Sequence, residues 1–205
     1  ALIPYHFHER ELTAGTEDIS GLGDVTIMGL YTLYETKNDS AVFTHKVNVG
    51  AGIKIPTGKF TEANNLGTIN QSFQLGTGSW DYSVVSEYVI NRKDLGLNTT
   101  LNYILKTENS KNYQYGDQFN YATTLFYLFD FKTIQLVPQA GVAGEIYQKN
   151  RQHNLDVPNT AGDILFGKFG IEAGKDKFSV GINAMLPVKQ NLSNVFDCEK
   201  RLTYG

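Results

Sequence analysis

Charged side chains recur at alternate positions within several segments that are otherwise apolar or carry small polar residues. If such a segment is a β-strand, its charges share one face, because successive side chains point to opposite sides. That face could form ion pairs, or it could line a path for ions and polar solutes. The candidates for such a lumen-facing surface are Lys46, Lys54, Asp81, Glu87, Lys106, Glu145, Lys168 and Glu172.

The four lysines and four carboxylates of this set cancel in formal charge. A pore that selects strongly for anions or cations would carry one sign in excess along its wall. The balance therefore favours salt bridges and hydrogen bonds across a narrow or plugged interior.

His6 and His8 stand two residues apart, so on a strand they share a face. Such a pair can contribute to a transition-metal site if a third ligand converges on it. Glu11, His45 or His153 could be that ligand, but nothing in the sequence brings them together. We interpret the histidines as polar residues at a strand end near a membrane surface, and we predict neither a metal nor a cofactor.

The sequence does not predict an enzyme. A barrel phospholipase would need a Ser–His pair on adjacent strands with a third orienting residue, and strand parity supports no such pair. The glycines before Asp24 and Asp81 lead into strands rather than helices, so they do not form a phosphate cradle. We expect these glycines to allow bends or bulges, and both aspartates to bond nearby backbone at the rim.

Residues 41–57 show most clearly which elements position these side chains. Val47, Val49 and Ile53 share one face, whereas Asn48 and Lys54 share the other. The same alternation runs through residues 24–35, 82–90, 95–106, 118–129, 134–146, 165–173 and 178–188. These segments approach or exceed the roughly 9–11 residues of a tilted membrane strand, whereas strands of soluble proteins usually have about 5–6.

The connections between these segments alternate in length. Tight turns are predicted at residues 36–40, 91–94, Asp130 and 174–177, and long loops at residues 9–20, 58–79, 107–116, 150–162 and 190–200. This rhythm indicates an all-β, up-and-down antiparallel transmembrane β-barrel in the bacterial outer membrane, with periplasmic tight turns and extracellular long loops. Pro56 and Pro187 should end or bulge their strands, because proline cannot donate to the ladder.

Residues 1–8 and 201–205 are predicted to be partial strands, which makes ten visible strands in a single barrel domain. Because bacterial barrels are closed and usually have an even number of strands, we expect N-terminal strands and the end of the closing strand to be missing from this chain.

Composition restricts the class further. The chain has 205 residues and a net charge of −3, which gives no reason to expect nucleic acid as a partner. No apolar run approaches the roughly 20 residues of a membrane-spanning helix. The single Cys198 excludes an internal disulfide framework. The expected partners are membrane lipids, including lipopolysaccharide, and other outer-membrane proteins.

Three short motifs occur in a recognisable order. Gly21-Leu-Gly-Asp24 opens one strand, Lys54-Ile-Pro-Thr-Gly58 closes the next, and Leu75-Gly-Thr-Gly-Ser-Trp-Asp81 opens a third. This order resembles outer-membrane barrels described as transporters or as related to the meta-pathway of phenol degradation, most closely those of the Bacteroidetes group. Segments similar to residues 95–108, 113–119 and 187–191 also recur there. The resemblance covers most of the chain.

The resemblance implies a barrel of about twelve strands, two of them before Ala1, and passive uptake of small molecules, apolar ones included. Members often carry a Cys-rich segment near the mature N-terminus, which this sequence lacks. Two functions are therefore open: a passive channel or transporter, and a structural or docking subunit of a larger outer-membrane complex. A soluble β-sandwich is a third interpretation.

Overall fold

The chain folds almost entirely into antiparallel β-strands in a computed structural model that describes residues 1–12, 15–38, 41–61, 63–64, 67–68, 73–192 and 203–204. The strands in chain order are β1 (Tyr5–Leu12), β2 (Gly15–Leu22), β3 (Val25–Glu35), β4 (Thr44–Ile55), β5 (Ala63–Asn64), β6 (Gly67–Thr68), β7 (Asp81–Arg92), β8 (Leu95–Lys106), β9 (Tyr113–Gln114), β10 (Gln118–Tyr127), β11 (Phe129–Asp130), β12 (Gln135–Tyr147), β13 (Arg151–Gln152), β14 (Leu155–Asp156), β15 (Gly162–Lys175), β16 (Phe178–Leu192) and β17 (Thr203–Tyr204). Among these residues no helix is long and apolar enough to cross a membrane.

The main sheet has ten strands in the order β17-β16-β15-β12-β10-β8-β7-β4-β3, with β11 paired to β12. Each strand lies beside its neighbour in the sequence, which confirms the predicted all-β antiparallel meander. In the described part of the chain, the edge strands β3 and β17 do not pair with each other. The structure therefore shows an open sheet, and closure into a barrel remains a prediction.

Two tight turns are where the sequence predicts them. Arg92 pairs with Leu95 and Lys175 pairs with Phe178, so each turn has two central residues. The turn predicted at Asp130 lies slightly later, because Asp130 still pairs with Gln135 in the ladder. The first predicted turn, at residues 36–40, lies partly outside the described residues.

The prediction of a long loop at residues 9–20 is wrong, because strands β1 and β2 form a regular two-stranded hairpin there. The prediction missed it because the segment has polar residues at successive positions, so it shows no apolar alternation. Residues 1–8 also do not form a strand of the main sheet, since only Leu2 bridges to it, opposite Thr26.

Parts of the predicted loops at 107–116 and 150–162 pair as a three-stranded sheet, β14-β13-β9. The last predicted loop, at 190–200, overlaps the end of β16 and otherwise lies outside the described residues.

Both prolines behave as expected. Strand β4 ends at Ile55, directly before Pro56. Strand β16 runs on to Leu192, but its pairing with β15 shifts by one residue beside Pro187. A bulge of this kind accommodates a residue that cannot donate a ladder hydrogen bond.

One face of the main sheet carries exposed apolar side chains, whereas the side chains on the opposite face are more buried. Neighbouring valines on β7 show it most clearly, since Val84 is 67% exposed and Val85 is 6% exposed. Register places Val84 on the same face as Leu101 and Tyr103, which are also exposed. We call this the apolar face, and the opposite one, which carries Val85 and Asp81, the inner face.

A small apolar cluster occupies part of the inner face. Phe166, Ile164 and Ala143 are buried there on β15 and β12, and Met185 packs against them. Within the described strands, most of the remaining inner-face positions carry polar or small residues, so these strands have no extended dry core.

Candidate functional site

Three charged residues from adjacent strands meet at the end of the inner face that adjoins the long loops. Lys54 on β4 lies opposite Asp81 on β7, and Asp81 lies opposite Lys106 on β8. The Asp81 carboxylate accepts from both ammonium groups, at 2.7 Å from Lys54 and 3.0 Å from Lys106. Its side chain is 1% exposed, so these pairs hold a buried charge.

Asp24 adds a second carboxylate to this group. It directly precedes β3, and its Oδ2 lies 3.0 Å from Lys54 Nζ. We call Asp24, Lys54, Asp81 and Lys106 the rim cluster. Its two positive and two negative charges cancel, as do the four lysines and four carboxylates of the predicted lumen-facing set.

Asp24 also binds the backbone on both sides of the loop that connects β4 with β7. Its Oδ1 accepts from the Gly58 N–H at 2.9 Å, and its Oδ2 accepts from the N–H and the hydroxyl of Thr77, both at 2.9 Å. The expectation that Asp24 bonds nearby backbone is therefore confirmed. Asp81 instead bonds side chains, including the Ser79 hydroxyl.

The environment of Asp24 favours its ionised form. Burial alone raises the pKa of this carboxyl, but the hydrogen bond from the Thr77 backbone, the charge of Lys54 and the bond from Gly58 outweigh it. The net pKa of Asp24 lies below its ordinary value, so Asp24 is charged at neutral pH.

Gly58 and Gly76 allow the two ends of this loop to approach closely. A Cβ on Gly76 would lie 2.5 Å from the carbonyl oxygen of Gly58 and 2.6 Å from Asp24 Oδ1. Any side chain at residue 76 would therefore displace the loop from Asp24. Gly58 and Gly76 belong to the motifs at residues 54–58 and 75–81, so these motifs provide the small residues that this contact requires.

Loop residues cover the rim cluster from the long-loop side. Asn109 donates from Nδ2 to the Thr77 carbonyl at 2.9 Å and accepts from the Tyr113 N–H at 3.2 Å. Phe73, Leu75 and Tyr113 are also buried. Burial raises the pKa of Tyr115, and so do the nearby charges of Asp24 and Asp81. The phenol of Tyr115 therefore stays neutral above the cluster.

A second polar network runs along the inner face toward the tight turns. The Glu87 carboxylate accepts from Asn48 Nδ2 at 2.7 Å and from Asn98 Nδ2 at 2.8 Å. Asn48 Oδ1 in turn accepts from the Thr32 hydroxyl at 2.9 Å. Glu87 is thus held by amide groups from both neighbouring strands, and among the described residues no lysine of the predicted set forms an ion pair with it.

The other predicted residues lie apart from the rim cluster. Lys46 pairs with Glu35 at 3.3 Å, and Lys168 donates to Thr124 at 3.3 Å. Glu145 bonds the Tyr147 hydroxyl. Register puts all eight predicted residues, including Glu172, on the inner face, but it brings together only Lys54, Asp81 and Lys106. Whether that face lines a lumen remains a prediction.

Sequence reasoning missed the roles of Thr77, Asn109 and Tyr115 in the site. They lie in loops without periodicity, so parity could not assign them to a face. The Gly-x-Gly motif before Ser79 was the one available signal, since it marks a close backbone approach.

The histidines do not form a metal centre with other ligands in the described part of the chain. The rings of His6 and His8 stack at 5.3 Å, and the His8 ring lies 5.4 Å from Phe73. Within the described ranges, no group of three or more His, Cys, Asp or Glu side chains could hold a metal ion.

No curated protein matches the chain. A family model described as "Putative MetA-pathway of phenol degradation" matches residues 1–192, which is most of the sequence. The chain therefore belongs to the MetA-pathway of phenol degradation family.

Proposed function

We propose that this protein is a non-catalytic β-barrel of the bacterial outer membrane that passes small molecules passively. The observation that carries the proposal is the polarity of the main sheet: its apolar face is exposed, whereas the face that bears charges and amides is more buried. In water, so large an exposed apolar surface would drive aggregation. Against lipid tails the same surface is stable.

The height of the apolar face fits a membrane. On β8, Leu95, Leu97, Leu101, Tyr103 and Leu105 lie on this face. The ten residue steps from Leu95 to Leu105 span about 34 Å along the strand. At a tilt of about 40° this corresponds to about 26 Å along the membrane normal, close to the roughly 25 Å apolar band of outer-membrane barrels.

Aromatic side chains flank the apolar face at both ends. Phe119 and Tyr121 have ring centroids 6.1 Å apart near the long loops. Tyr127 and Phe129 are 4.6 Å apart near the tight turns, and Phe131 follows at 6.2 Å. Such girdles occur at the two membrane–water interfaces of barrels. As in bacterial outer-membrane barrels, we expect the tight turns to face the periplasm and the long loops to face outside.

The inner face suits a wet interior. Within the described part of the chain, three buried side-chain atoms have no hydrogen-bond partner: Asn102 Oδ1, Asn183 Oδ1 and Gln190 Nε2. Register places all three on the inner face. Buried polar atoms of this kind are usually satisfied by water. Because the rim cluster is neutral, we propose small uncharged molecules as the solutes, with little selectivity between ions.

A swelling assay with protein-loaded liposomes tests this function. We expect small uncharged solutes to enter faster than into protein-free liposomes, and bilayer recordings to show weak ion selectivity. Protein denatured by heat before reconstitution is the control. Absence of both solute flux and conductance from protein that has inserted in folded form would overturn the channel proposal.

A structural or docking role is the second candidate, and the covered rim favours it. Asp81 is nearly inaccessible and bonds the buried Ser79 hydroxyl, and the loop residues Asn109 and Leu75 are buried as well. The loops therefore cover the inner face on that side. A filled interior would leave the long loops as the functional surface. Purification in mild detergent from the native membrane tests this role. A stable stoichiometric companion protein would support it, and migration as a lone barrel would contradict it.

A further inference from the structure

A cleft at the tight-turn end of the apolar face is lined by Arg92, Lys93, Asp94, Leu95 and Tyr127. We call it the Arg92 cleft, and its volume is about 240 Å³. Register places it on this face, since Leu95 pairs with both Arg92 and Tyr127, and these side chains point to the same side as Val84. The cleft therefore opens where the apolar band meets the turns.

The charges of the Arg92 cleft favour an anion. Arg92 and Lys93 are both exposed, and Asp94 offsets only one of their charges. In the part of the chain that the structure describes, neither cation lies within ion-pair distance of a carboxylate. The Arg92 guanidinium instead lies 5.6 Å from the ring centroid of Phe43, which holds it over the apolar face.

The backbone of Lys93 has a conformation that lysine rarely adopts. Lys93 has a φ of 53°, in the left-handed region, at the first central position of its turn. Asp176 occupies the same position of the turn between β15 and β16, with a φ of 54°. Asp tolerates this region better than lysine does. Lys132, in the turn after β11, also has a positive φ, of 64°. The strained backbone therefore places Lys93 at the cleft but does not by itself assign a role to its charge.

The remaining lining indicates what kind of anion fits. Leu95 and Tyr127 are 44% and 40% exposed, so they offer apolar surface directly beside the two cations. A free inorganic anion would leave this surface uncovered. A molecule with a phosphate group and an attached apolar portion would cover both parts.

We propose that the Arg92 cleft binds the phosphate of an anionic phospholipid in the leaflet on the tight-turn side. Arg92 and Lys93 donate to the phosphate oxygens, and Tyr127 and Leu95 pack against the glycerol and the first acyl carbons. This proposal rests on the proposed membrane location of the sheet.

Native mass spectrometry of the detergent-purified protein with added phosphatidylglycerol tests the site. The Arg92→Gln/Lys93→Gln double variant should bind phosphatidylglycerol about tenfold more weakly than the unaltered chain. The matched control is Lys175→Gln/Lys177→Gln, which removes the same charge from another tight turn and should bind as the unaltered chain does. Tyr127→Ala, which retains both cations, should also weaken binding.

Phosphatidylcholine and inorganic phosphate separate the alternatives. We expect phosphatidylcholine to bind more weakly than phosphatidylglycerol, and inorganic phosphate not to compete. Equal loss in both double variants, or no loss in the Arg92 variant, would overturn the proposed cleft. Heat-dependent gel mobility is checked in every sample: folded protein with no specific lipid binding refutes the cleft alone, whereas failure of the unaltered chain to fold in detergent or lipid refutes the membrane proposal.

Discussion

Asp81 is the residue on which the rim cluster depends most, because its buried carboxylate separates two lysines. Asp81→Asn would leave Lys106 without its carboxylate partner and close to Lys54, which would retain only Asp24. We expect a loss of about 3 kcal/mol in the free energy of unfolding, the lower end of the cost of breaking a buried ion pair. Urea titration followed by gel mobility measures it.

A second substitution shows whether that loss comes from the unpaired charge. Lys106→Met alone leaves Asp81 paired with Lys54, so it should cost less than Asp81→Asn. The double variant Asp81→Asn/Lys106→Met removes one charge of each sign. We expect it to be more stable than the sum of the single effects predicts. Simple additivity would show that the three residues act independently.

Asp24 gives the site its expected pH dependence. Its carboxylate binds Gly58, Thr77 and Lys54, and the folded pKa lies below the ordinary value of 3.8. The stability that it contributes is therefore fully present at neutral pH, declines as the pH falls below that value, and is lost once the pH passes the folded pKa.

Asp24→Ala should remove this contribution at neutral pH, at a cost of about 2–3 kcal/mol, because charged hydrogen bonds are lost. Limited proteolysis of the loop at residues 58–79 measures the local effect. We expect faster cleavage in Asp24→Ala than in the unaltered chain at pH 7. Equal cleavage rates would contradict the role of Asp24 in holding this loop.

The turn between β7 and β8 should tolerate glycine at residue 93. Because Lys93 has a positive φ, Lys93→Gly should relieve backbone strain and stabilise the fold by up to about 1 kcal/mol. The same substitution should weaken phosphatidylglycerol binding. Opposite effects on stability and lipid binding distinguish a turn kept for its charge from one kept for its geometry. Destabilisation by Lys93→Gly would contradict the strain argument.

A charge on the apolar face of a strand should be more costly than the same charge on its inner face, because the apolar face is proposed to meet lipid. Leu101→Arg places a charge at the middle of the apolar face and should cost about 2–4 kcal/mol on insertion. Thr100→Arg, on the next residue of β8, places the same charge on the inner face and should cost less. Folding yield into lipid vesicles measures both. Equal penalties would contradict the assignment of faces.

Sequence periodicity predicted the elements far better than the site. Alternation places each main strand between β3 and β16 correctly, because one apolar and one polar face impose a period of two. It missed the β1–β2 hairpin, whose residues are polar at successive positions. It also missed Thr77, Asn109 and Tyr115, whose positions depend on long-range contacts between loops and not on any local pattern.

The described sheet has an apolar exposed face, a polar inner face and loops that cover one end of the inner face. Membership of the MetA-pathway of phenol degradation family agrees with the resemblance seen in the sequence. Folds of this kind serve several functions, so the solute and the partners must be argued from the inner face and the loops.

Quenching by brominated lipid tests the membrane location of the sheet most directly. Single tryptophans are placed at residues 97 to 103 of β8, one at a time, in a Trp80→Phe background reconstituted in vesicles. We predict strong quenching at Leu97, Thr99, Leu101 and Tyr103, and weak quenching at Asn98, Thr100 and Asn102. Uniform quenching, no quenching, or quenching of the inner-face positions instead would contradict the proposal that the apolar face meets lipid.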